Sequence, residues 1–299
     1  MVLSSKMTLA EALQRASVFL QENGIQDSPI KDYWQRTFDW NYTQLILNLN
    51  MPLNDEQAMR FNEVLKRLAQ YEPIQYILGK ADFVGETYYV TPDTLIPRED
   101  TYGLIEMGCA FLKEHPQAKV LDIGTGSGII AIELAKQLAP NQVTAVDISP
   151  VALAVAQKNG QHHQVQVEWL ESDLMSALTG RQFDLIVSNP PYIAEDELAL
   201  MDESVKRFEP ATALFAEQQG LAIYQRLAET LPSFLSDNGQ ILLEIGFKQA
   251  SAVQAIFQKT FPNAIISVHQ DLNGLDRYIK IDTQKGVKQW IPKFIKKNK

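Results

Sequence analysis

A glycine-rich turn between a short apolar run and a helical pattern limits most strongly what this chain can fold into. It reads Asp122-Ile123-Gly124-Thr125-Gly126-Ser127-Gly128, after the apolar residues 120–123 and before a helix predicted at 129–138. Alternating glycines allow a tight turn and let the backbone approach a ligand closely. The start of the helix adds free N–H groups and the positive end of a helix dipole, which suit a carboxylate. The turn therefore predicts a ligand site where a buried strand meets a helix.

The chain from residue 118 onward alternates short apolar runs with helical patterns. Strands are predicted at 120–123, 143–146, 165–170, 183–188, 240–244, 265–268 and 277–281. Helices are predicted between them at 129–138, 150–159, 221–235 and 249–261. This alternation is typical of a Rossmann-like α/β fold, with a mostly parallel sheet and helices on both faces. Only residues 271–276 separate the last two strands, so we expect a seven-stranded sheet whose last strand is antiparallel.

The first 73 residues predict a small helical bundle. Thr8 and Glu11 have the spacing of a capping box, and apolar residues then recur at helical intervals. Residues 74–80 and 83–90 are two β-like runs with glycines between them, which predicts a linking β-hairpin. Four segments follow from this pattern: a helical substrate-docking domain at 1–73, a hairpin linker at 74–97, the α/β domain at 98–284 and a basic tail at 285–299.

Composition excludes several classes of protein. The net charge is −9, which argues against a chain that wraps bare nucleic acid. The single cysteine, Cys109, excludes an intrachain disulfide and is expected to be a small buried residue. No apolar run is long enough to span a bilayer and no signal peptide is apparent, so we expect a cytoplasmic protein without a membrane partner. His162 and His163 are expected in a solvated loop, and no metal site is predicted.

Acidic residues after the second and third strands suggest a nucleoside site. The dinucleotide fingerprint needs a glycine at position 129, where this chain has Ile129. Asp147 can accept both hydroxyls of a ribose, or it can cap the helix that starts at Pro150, although Ser149 is better placed for capping. Asp173 can bond an adenine amino group or can be a surface carboxylate. The combination of the glycine turn with Asp147 and Asp173 resembles the class I methyltransferases, and this resemblance implies S-adenosylmethionine as cofactor.

The tetrapeptide Asn189-Pro190-Pro191-Tyr192 is the most specific feature of the chain and follows the fourth predicted strand. Its prolines stiffen the turn and remove two backbone donors, so the nearby carbonyls remain as acceptors. Asn189 adds a side-chain carbonyl and Tyr192 adds a flat aromatic face. This set suits a planar –NH₂ group, whose hydrogens would point at Asn189 Oδ1 and the Pro190 carbonyl. By itself the tetrapeptide does not distinguish a glutamine amide from an adenine amino group.

Nearly the whole chain resembles the HemK/PrmC protein-(glutamine-N5) methyltransferases. The similar segments are the N-terminal bundle, the hairpin, Thr94-Leu95-Ile96-Pro97-Arg98, the glycine turn, Ala145-Val146-Asp147, Asn189-Pro190-Pro191-Tyr192, Arg207-Phe208-Glu209-Pro210 and Leu243-Glu244-Ile245-Gly246. The resemblance implies methylation of the glutamine in the Gly-Gly-Gln motif of class 1 peptide-chain release factors, which would be the protein partner. It implies that the cofactor contacts Gly124, Thr125, Gly126, Ser127, Gly128, Asp147, Asp173, Leu174 and Asn189. It also implies that residues 189–192 hold the glutamine, with Asn189, Pro190 and Tyr192 as the catalytic set.

This sequence departs from the family pattern at three places, and other functions stay open. The family reads Ile-Pro-Arg-Pro-Asp-Thr-Glu, where this chain has Glu99 in place of proline and Tyr102 in place of glutamate. Leu174 stands where relatives often have tryptophan, so ring stacking on adenine is lost there. The alternatives are a ribosomal-protein glutamine methyltransferase, an adenine-N6 nucleic-acid methyltransferase and a non-catalytic binding module.

Overall fold

The computed structural model describes residues 3–25, 29–140 and 142–283. The basic tail expected at 285–299 lies outside the described residues. Within the described ranges, no helix has the length and apolar character needed to cross a membrane.

The N-terminal unit is a bundle of helices, as predicted. Its helices are α1 (Leu9–Glu22), α2 (Ile30–Phe38), α3 (Tyr42–Leu47) and α4 (Asp55–Leu68). Capping boxes start three of them: Thr8 with Glu11 at α1, Asn41 with Gln44 at α3, and Asn54 with Gln57 at α4. Each satisfies two backbone groups that a helix start leaves unpaired. One core joins the helices through buried side chains that include Leu9, Leu20, Trp34, Leu45 and Phe61.

The segment after the bundle contains a helix that the sequence analysis missed. Ile74–Leu78 forms the short helix α5, which Gly79 ends in the left-handed conformation at φ +67°. The expectation of a β-run at 74–80 was wrong, because a short apolar run has too few residues for its periodicity to separate helix from strand. The predicted hairpin is confirmed further along, as β1 (Lys80–Phe83) and β2 (Glu86–Tyr89).

The α/β domain has the architecture that the alternating pattern predicts. Its elements are α6 (Thr101–Glu114), β3 (Val120–Ile123), α7 (Ile129–Ala135), β4 (Val143–Asp147), α8 (Pro150–His162), β5 (Val167–Glu171), β6 (Phe183–Ser188), α9 (Glu203–Phe208), α10 (Ala211–Leu214), α11 (Glu217–Gly220), α12 (Ala222–Thr230), β7 (Leu235–Glu244), α13 (Ala250–Thr260), β8 (Ile265–Gln270) and β9 (Asp276–Asp282). Two 3₁₀ turns lie at Glu195–Leu200 and Leu231–Ser233. The helix expected at 221–235 is therefore shorter, since Pro232 lacks the N–H that a continuing helix needs.

The seven-stranded sheet has the order β5-β4-β3-β6-β7-β9-β8. Strands β3 to β7 are parallel neighbours, and β9 runs antiparallel to both β7 and β8, which confirms the expected last strand. Side chains alternate between two buried faces. Helices α6 and α7 pack on one face, and α12 and α13 pack on the other. All parallel strands therefore end at one edge, where the predicted site residues follow them.

The hairpin packs onto the α/β domain through one buried asparagine. Asn159 in α8 donates from Nδ2 to the carbonyls of Tyr89 (2.9 Å) and Ser127 (2.8 Å), and its Oδ1 accepts from Tyr89 N (2.7 Å). His163 also faces the hairpin, with Nδ1 2.8 Å from Glu86 Oε2 and a side chain only 6% exposed. The expectation of a solvated loop at 162–163 was therefore wrong, because His162 is the exposed last residue of α8 and the hairpin covers His163.

Candidate active site

A cavity of about 380 Å³ opens at the carboxyl edge of the sheet. The predicted site residues that line it are Gly124, Thr125, Gly126, Ser127, Asp147, Asp173, Leu174, Asn189, Pro190 and Pro191. The structure therefore brings together the ends of β3, β4, β5 and β6, as the sequence predicts. Gly128 and Tyr192 are not among its lining residues.

The glycine turn adopts a backbone that other residues rarely take. Gly124, Gly126 and Gly128 have φ values of +71°, +54° and +87°. At Gly124 and Gly126 a Cβ would meet no atom of the described part of the chain within 4 Å, so the positive φ is what these positions require of glycine. At Gly128 a Cβ would lie 3.0 Å from Ala156 Cβ, so the turn there packs against α8. Gly128 thus allows the turn to pack closely against α8, on the side of the turn that does not line the cavity.

A buried carboxylate braces the same turn. Asp122 is fully buried, and its Oδ2 accepts from the Thr125 hydroxyl (2.6 Å) and Ala131 N (3.2 Å). Its Oδ1 has no hydrogen-bond partner among residues 3–25, 29–140 and 142–283. Burial raises the pKa of Asp122 to about 7, against the opposing effect of these hydrogen bonds. Asp122 therefore connects the turn to the first residues of α7.

Asp147 connects the turn to the second strand. Its Oδ2 accepts from Gly126 N (2.8 Å) and its Oδ1 accepts from Ser149 N (2.9 Å). The Ser149 side chain caps α8 by accepting from Ala152 N (3.2 Å), as the sequence suggested. Each carboxylate oxygen can accept a further hydrogen bond, so Asp147 has acceptor capacity left toward the cavity.

Asp173 lies at the cavity wall in an ion pair that the sequence did not reveal. Both of its oxygens accept from one nitrogen of Arg226, at 2.8 and 2.7 Å. Arg226 belongs to α12 and also lines the cavity. The adjacent Leu174 has φ +50°, a conformation that turns the chain at this point. Because Arg226 is 53 residues away along the chain, no local pattern could have shown the pair.

The tetrapeptide at 189–192 is supported by a buried carboxylate from the next strand. Asn189 Nδ2 donates to Thr101 Oγ1 (3.2 Å), and the Thr101 hydroxyl donates to Glu244 Oε2 (2.9 Å). The Tyr192 hydroxyl donates to Glu244 Oε1 (3.3 Å). Burial raises the pKa of the Glu244 carboxyl to about 7, while the Thr101 hydrogen bond and the Arg277 cation lower it. Tyr192 is thus held from the core side of the tetrapeptide.

The backbone of Tyr192 is also fixed from the opposite side. Gln249 Nε2 donates to the Tyr192 carbonyl (2.9 Å), and Gln249 Oε1 accepts from Gly246 N (3.0 Å). Gly220, at φ +78°, approaches so closely that a Cβ there would lie 2.0 Å from the Tyr192 carbonyl oxygen. These contacts leave the tetrapeptide little freedom to move.

An ion pair lies behind the part of the cavity wall that Arg98 forms. The carboxylate of Glu209 pairs with the Arg98 guanidinium, and its Oε2 accepts a long bond from Ile96 N (3.4 Å). The Glu209 side chain is 1% exposed and that of Arg98 is 40% exposed. The pair joins the segment at 94–98 to the segment at 207–210, two regions that sequence analysis noted without connecting them.

The fold and the site together define an S-adenosylmethionine-dependent methyltransferase of class I. This class combines three features that the chain has: a sheet with β9 inserted antiparallel, a glycine turn after β3 and a carboxylate at the end of β4. The family model for the Methyltransferase small domain matches residues 105–218, and the model for the PrmC N-terminal domain matches residues 11–79. The chain belongs to the family of release factor glutamine methyltransferases, as its identity to curated relatives of that name shows.

Curated relatives cover most of the chain. The release factor glutamine methyltransferase of Lactococcus lactis subsp. lactis (strain IL1403) is 46% identical over 248 residues, which is 83% of this chain and 91% of that protein. The protein of the same name from Enterococcus faecalis (strain ATCC 700802 / V583) is 39% identical over 270 residues, 89% of this chain and 96% of the relative. Among solved structures, the hMettl16 catalytic domain has a TM-score of 0.54 at 16% identity and covers 79% of this chain and 84% of that one. At this low identity, the likeness shows only that the two chains share a fold.

Proposed function

We propose that this protein transfers a methyl group from S-adenosylmethionine to the side-chain amide nitrogen N5 of the glutamine in the Gly-Gly-Gln motif of class 1 peptide-chain release factors. The observation that carries the proposal is the 46% identity to a release factor glutamine methyltransferase over 91% of that protein's length. The tetrapeptide Asn189-Pro190-Pro191-Tyr192 supports it, because its oxygen atoms are the hydrogen-bond acceptors that an amide –NH₂ group needs.

The residues that line the cavity support a proposed placement of the cofactor. In this proposal the N–H groups of residues 124–128 and the start of α7 receive the methionine carboxylate, since a helix start favours an anion. Asp147 accepts the ribose hydroxyls with its remaining acceptor capacity. Leu174 and the neighbouring Asp173 border the adenine, where Arg226 either stays paired with Asp173 or gives way to the adenine amino group. The bound cofactor supplies an electrophilic methyl group on a sulfonium, which is a good leaving group.

The chain's own residues bind and orient the amide. Asn189 Oδ1 and the Pro190 carbonyl accept the two N–H groups of the glutamine, and Pro191 offers no competing donor. Holding both hydrogens turns the nitrogen lone pair toward the methyl group, and fixed orientation of this kind accounts for several kcal/mol of barrier lowering. The same two acceptors stabilise the positive charge that grows on the nitrogen. Tyr192 supports the tetrapeptide from the core side through its hydroxyl bond to Glu244. Methyl transfer leaves a neutral thioether, and the methylated, positively charged amide is acidic enough to lose one proton to water, so no strong general base is required.

The helical N-terminal unit is proposed to dock the release factor. It has its own core, so it presents a preformed surface next to the α/β domain. Large apolar side chains lie exposed on it, among them Tyr42, Leu47 and Met59 at 69%, 77% and 69% exposure. The net charge of −9 favours a protein substrate over direct contact with nucleic acid. Because release factors act on ribosomes, the reaction would take place in the cytoplasm.

A methylation assay tests the proposal. The protein is incubated with S-adenosylmethionine labelled at the methyl group and with a class 1 release factor, and peptides are analysed by mass spectrometry. We expect one added methyl group on the glutamine of Gly-Gly-Gln, and none on a release factor in which that glutamine is alanine. The Asn189→Ala protein is the matched enzyme control. Transfer to a ribosomal protein or to a nucleic acid instead, with no label on the release factor, would overturn the proposal.

A further inference from the structure

We propose that Thr101 and Glu244 are positioning residues that fix which end of the Asn189 side-chain amide faces the substrate. In this arrangement Asn189 Oδ1 is turned toward the reacting nitrogen and Nδ2 is turned away from it. The inference deepens the proposed function and rests on it for the identity of the substrate. Its observational basis is a continuous set of hydrogen bonds between buried groups.

The sheet register brings the three residues together. In the parallel pair of β6 and β7, Ser188 is opposite Leu243, so Asn189, directly after β6, is next to the level of Glu244, the last residue of β7. Glu244 is 1% exposed and Thr101, the first residue of α6, is 7% exposed. The start of α6 therefore lies over the point where both strands end. None of the three side chains reaches this place by local folding alone.

The direction of the hydrogen bonds decides the orientation of the amide. Above the raised pKa of its carboxyl, which is about 7, Glu244 is ionised and can only accept, and a threonine hydroxyl has one hydrogen to donate. Thr101 donates that hydrogen to Glu244 Oε2 at 2.9 Å, so only its lone pairs remain for Asn189. The group of Asn189 that lies 3.2 Å from Thr101 Oγ1 must then be the donor, Nδ2. Oδ1, at the other end of the same planar amide, points away from Thr101.

A reversed amide would be unproductive. It would place the two hydrogens of Asn189 against the two hydrogens of the substrate nitrogen, a contact between donors. It would also remove one of the acceptors that stabilise positive charge on that nitrogen. Glu244 holds the far end of the tetrapeptide as well, since its Oε1 accepts from the Tyr192 hydroxyl at 3.3 Å. One buried carboxylate thus sets the orientation of Asn189 and the position of Tyr192.

Paired variants of Thr101 test the proposal. Thr101→Val keeps the shape of the side chain and removes the hydroxyl, while Thr101→Ser keeps the hydroxyl. We expect Thr101→Val to lower kcat by about ten-fold or more, the equivalent of about one hydrogen bond, with a much smaller change in cofactor affinity by calorimetry. Thr101→Ser should retain most of the activity. Thr144→Val is the matched control, because Thr144 is also buried and bonded to a glutamate (Glu168, 3.0 Å) but lies within β4 away from the cavity.

A second measurement does not depend on activity. The side-chain NH₂ signals of Asn189, identified in NMR spectra by their absence from Asn189→Asp, should be protected from exchange in the wild type and in Thr101→Ser. They should lose protection in Thr101→Val and keep it in Thr144→Val. If the wild type methylates no release factor, the proposed function fails while this measurement still decides the orientation of the amide.

Three results would overturn the positioning role. They are a wild-type kcat in Thr101→Val, an equal loss of kcat in Thr101→Ser, and unchanged exchange of the Asn189 amide in Thr101→Val. If Thr101→Val does not fold, Thr101→Ala carries the same test, because alanine also removes the hydroxyl that accepts from Asn189 Nδ2. We then expect a lower kcat with cofactor affinity retained, and a wild-type kcat in Thr101→Ala would refute the proposal.

Discussion

Replacing Arg98 with methionine should destabilise the protein by about 3 kcal/mol, because the substitution leaves a buried carboxylate without its cation. The Glu209 side chain is 1% exposed, so its carboxylate is poorly solvated once the guanidinium is removed. The carboxylate also accepts a hydrogen bond from Ile96 N, but at 3.4 Å this bond is too long to compensate for much of the loss. Methionine keeps most of the unbranched stem of the arginine, so the lost packing contributes little.

Urea denaturation measures this effect against a matched control. Arg207→Met removes an arginine that pairs with Glu203, where the side chains are 53% and 46% exposed. We expect this control to cost within about 1 kcal/mol, as exposed ion pairs do. Arg98→Met is then repeated in a Glu209→Gln background, where no buried charge remains and the loss should be much smaller. The reasoning is refuted if Arg98→Met costs no more than Arg207→Met, or costs the same in both backgrounds.

Further substitutions have separable outcomes. Asn189→Ala should lower kcat on the order of 10²-fold or more by removing an acceptor for the developing charge, while calorimetry shows little change in cofactor affinity. Asp147→Ala should give the reverse pattern in the same two assays, and equal losses in both would contradict the assigned roles. Gly220→Ala places a Cβ 2.0 Å from the Tyr192 carbonyl oxygen, so methyl transfer and the thermal midpoint should both fall; an unchanged midpoint would show that the contact relaxes freely. Asp122 has a folded-state pKa raised from 3.8 to about 7, so its contribution to stability is present below pH 3.8 and is lost as pH rises toward 7. The stability of Asp122→Asn relative to wild type should therefore increase with pH across that window, and a flat difference in urea denaturation would show that the buried carboxyl has its ordinary pKa.

Local patterns predicted most of the fold. The strand at 183–188 has the predicted bounds, since its apolar residues and the flanking polar residues mark both ends. Ser149 was identified as a helix cap because Pro150 favours the first helical position. The failures occur where a short apolar run is ambiguous, as at Ile74–Leu78, or where another element covers a polar residue, as at His163.

The site was predictable only where its residues follow strands. The glycine turn, Asp147 and Asn189 were found because the carboxyl ends of parallel strands meet at one edge. Thr101 and Glu244 were not assigned roles, since they are 143 residues apart and their contact depends on how α6 crosses the sheet. The pairing of Arg98 with Glu209 spans 111 residues and was hidden for the same reason. Buried polar networks of this kind depend on tertiary packing, which no local spacing records.

Asn159 has a consequence for anyone who exchanges modules between relatives. Its amide makes three hydrogen bonds, two to the hairpin at Tyr89 and one to the glycine turn at Ser127. A chimera joined at residue 98 would bring in the hairpin of another protein, so the Asn159 amide would have to form its two hairpin hydrogen bonds with a foreign segment. A junction placed near Gly79, where α5 ends, would exchange the helical bundle and keep the native hairpin with its own cofactor turn. The better junction for exchanging domains therefore lies before the hairpin, not after it.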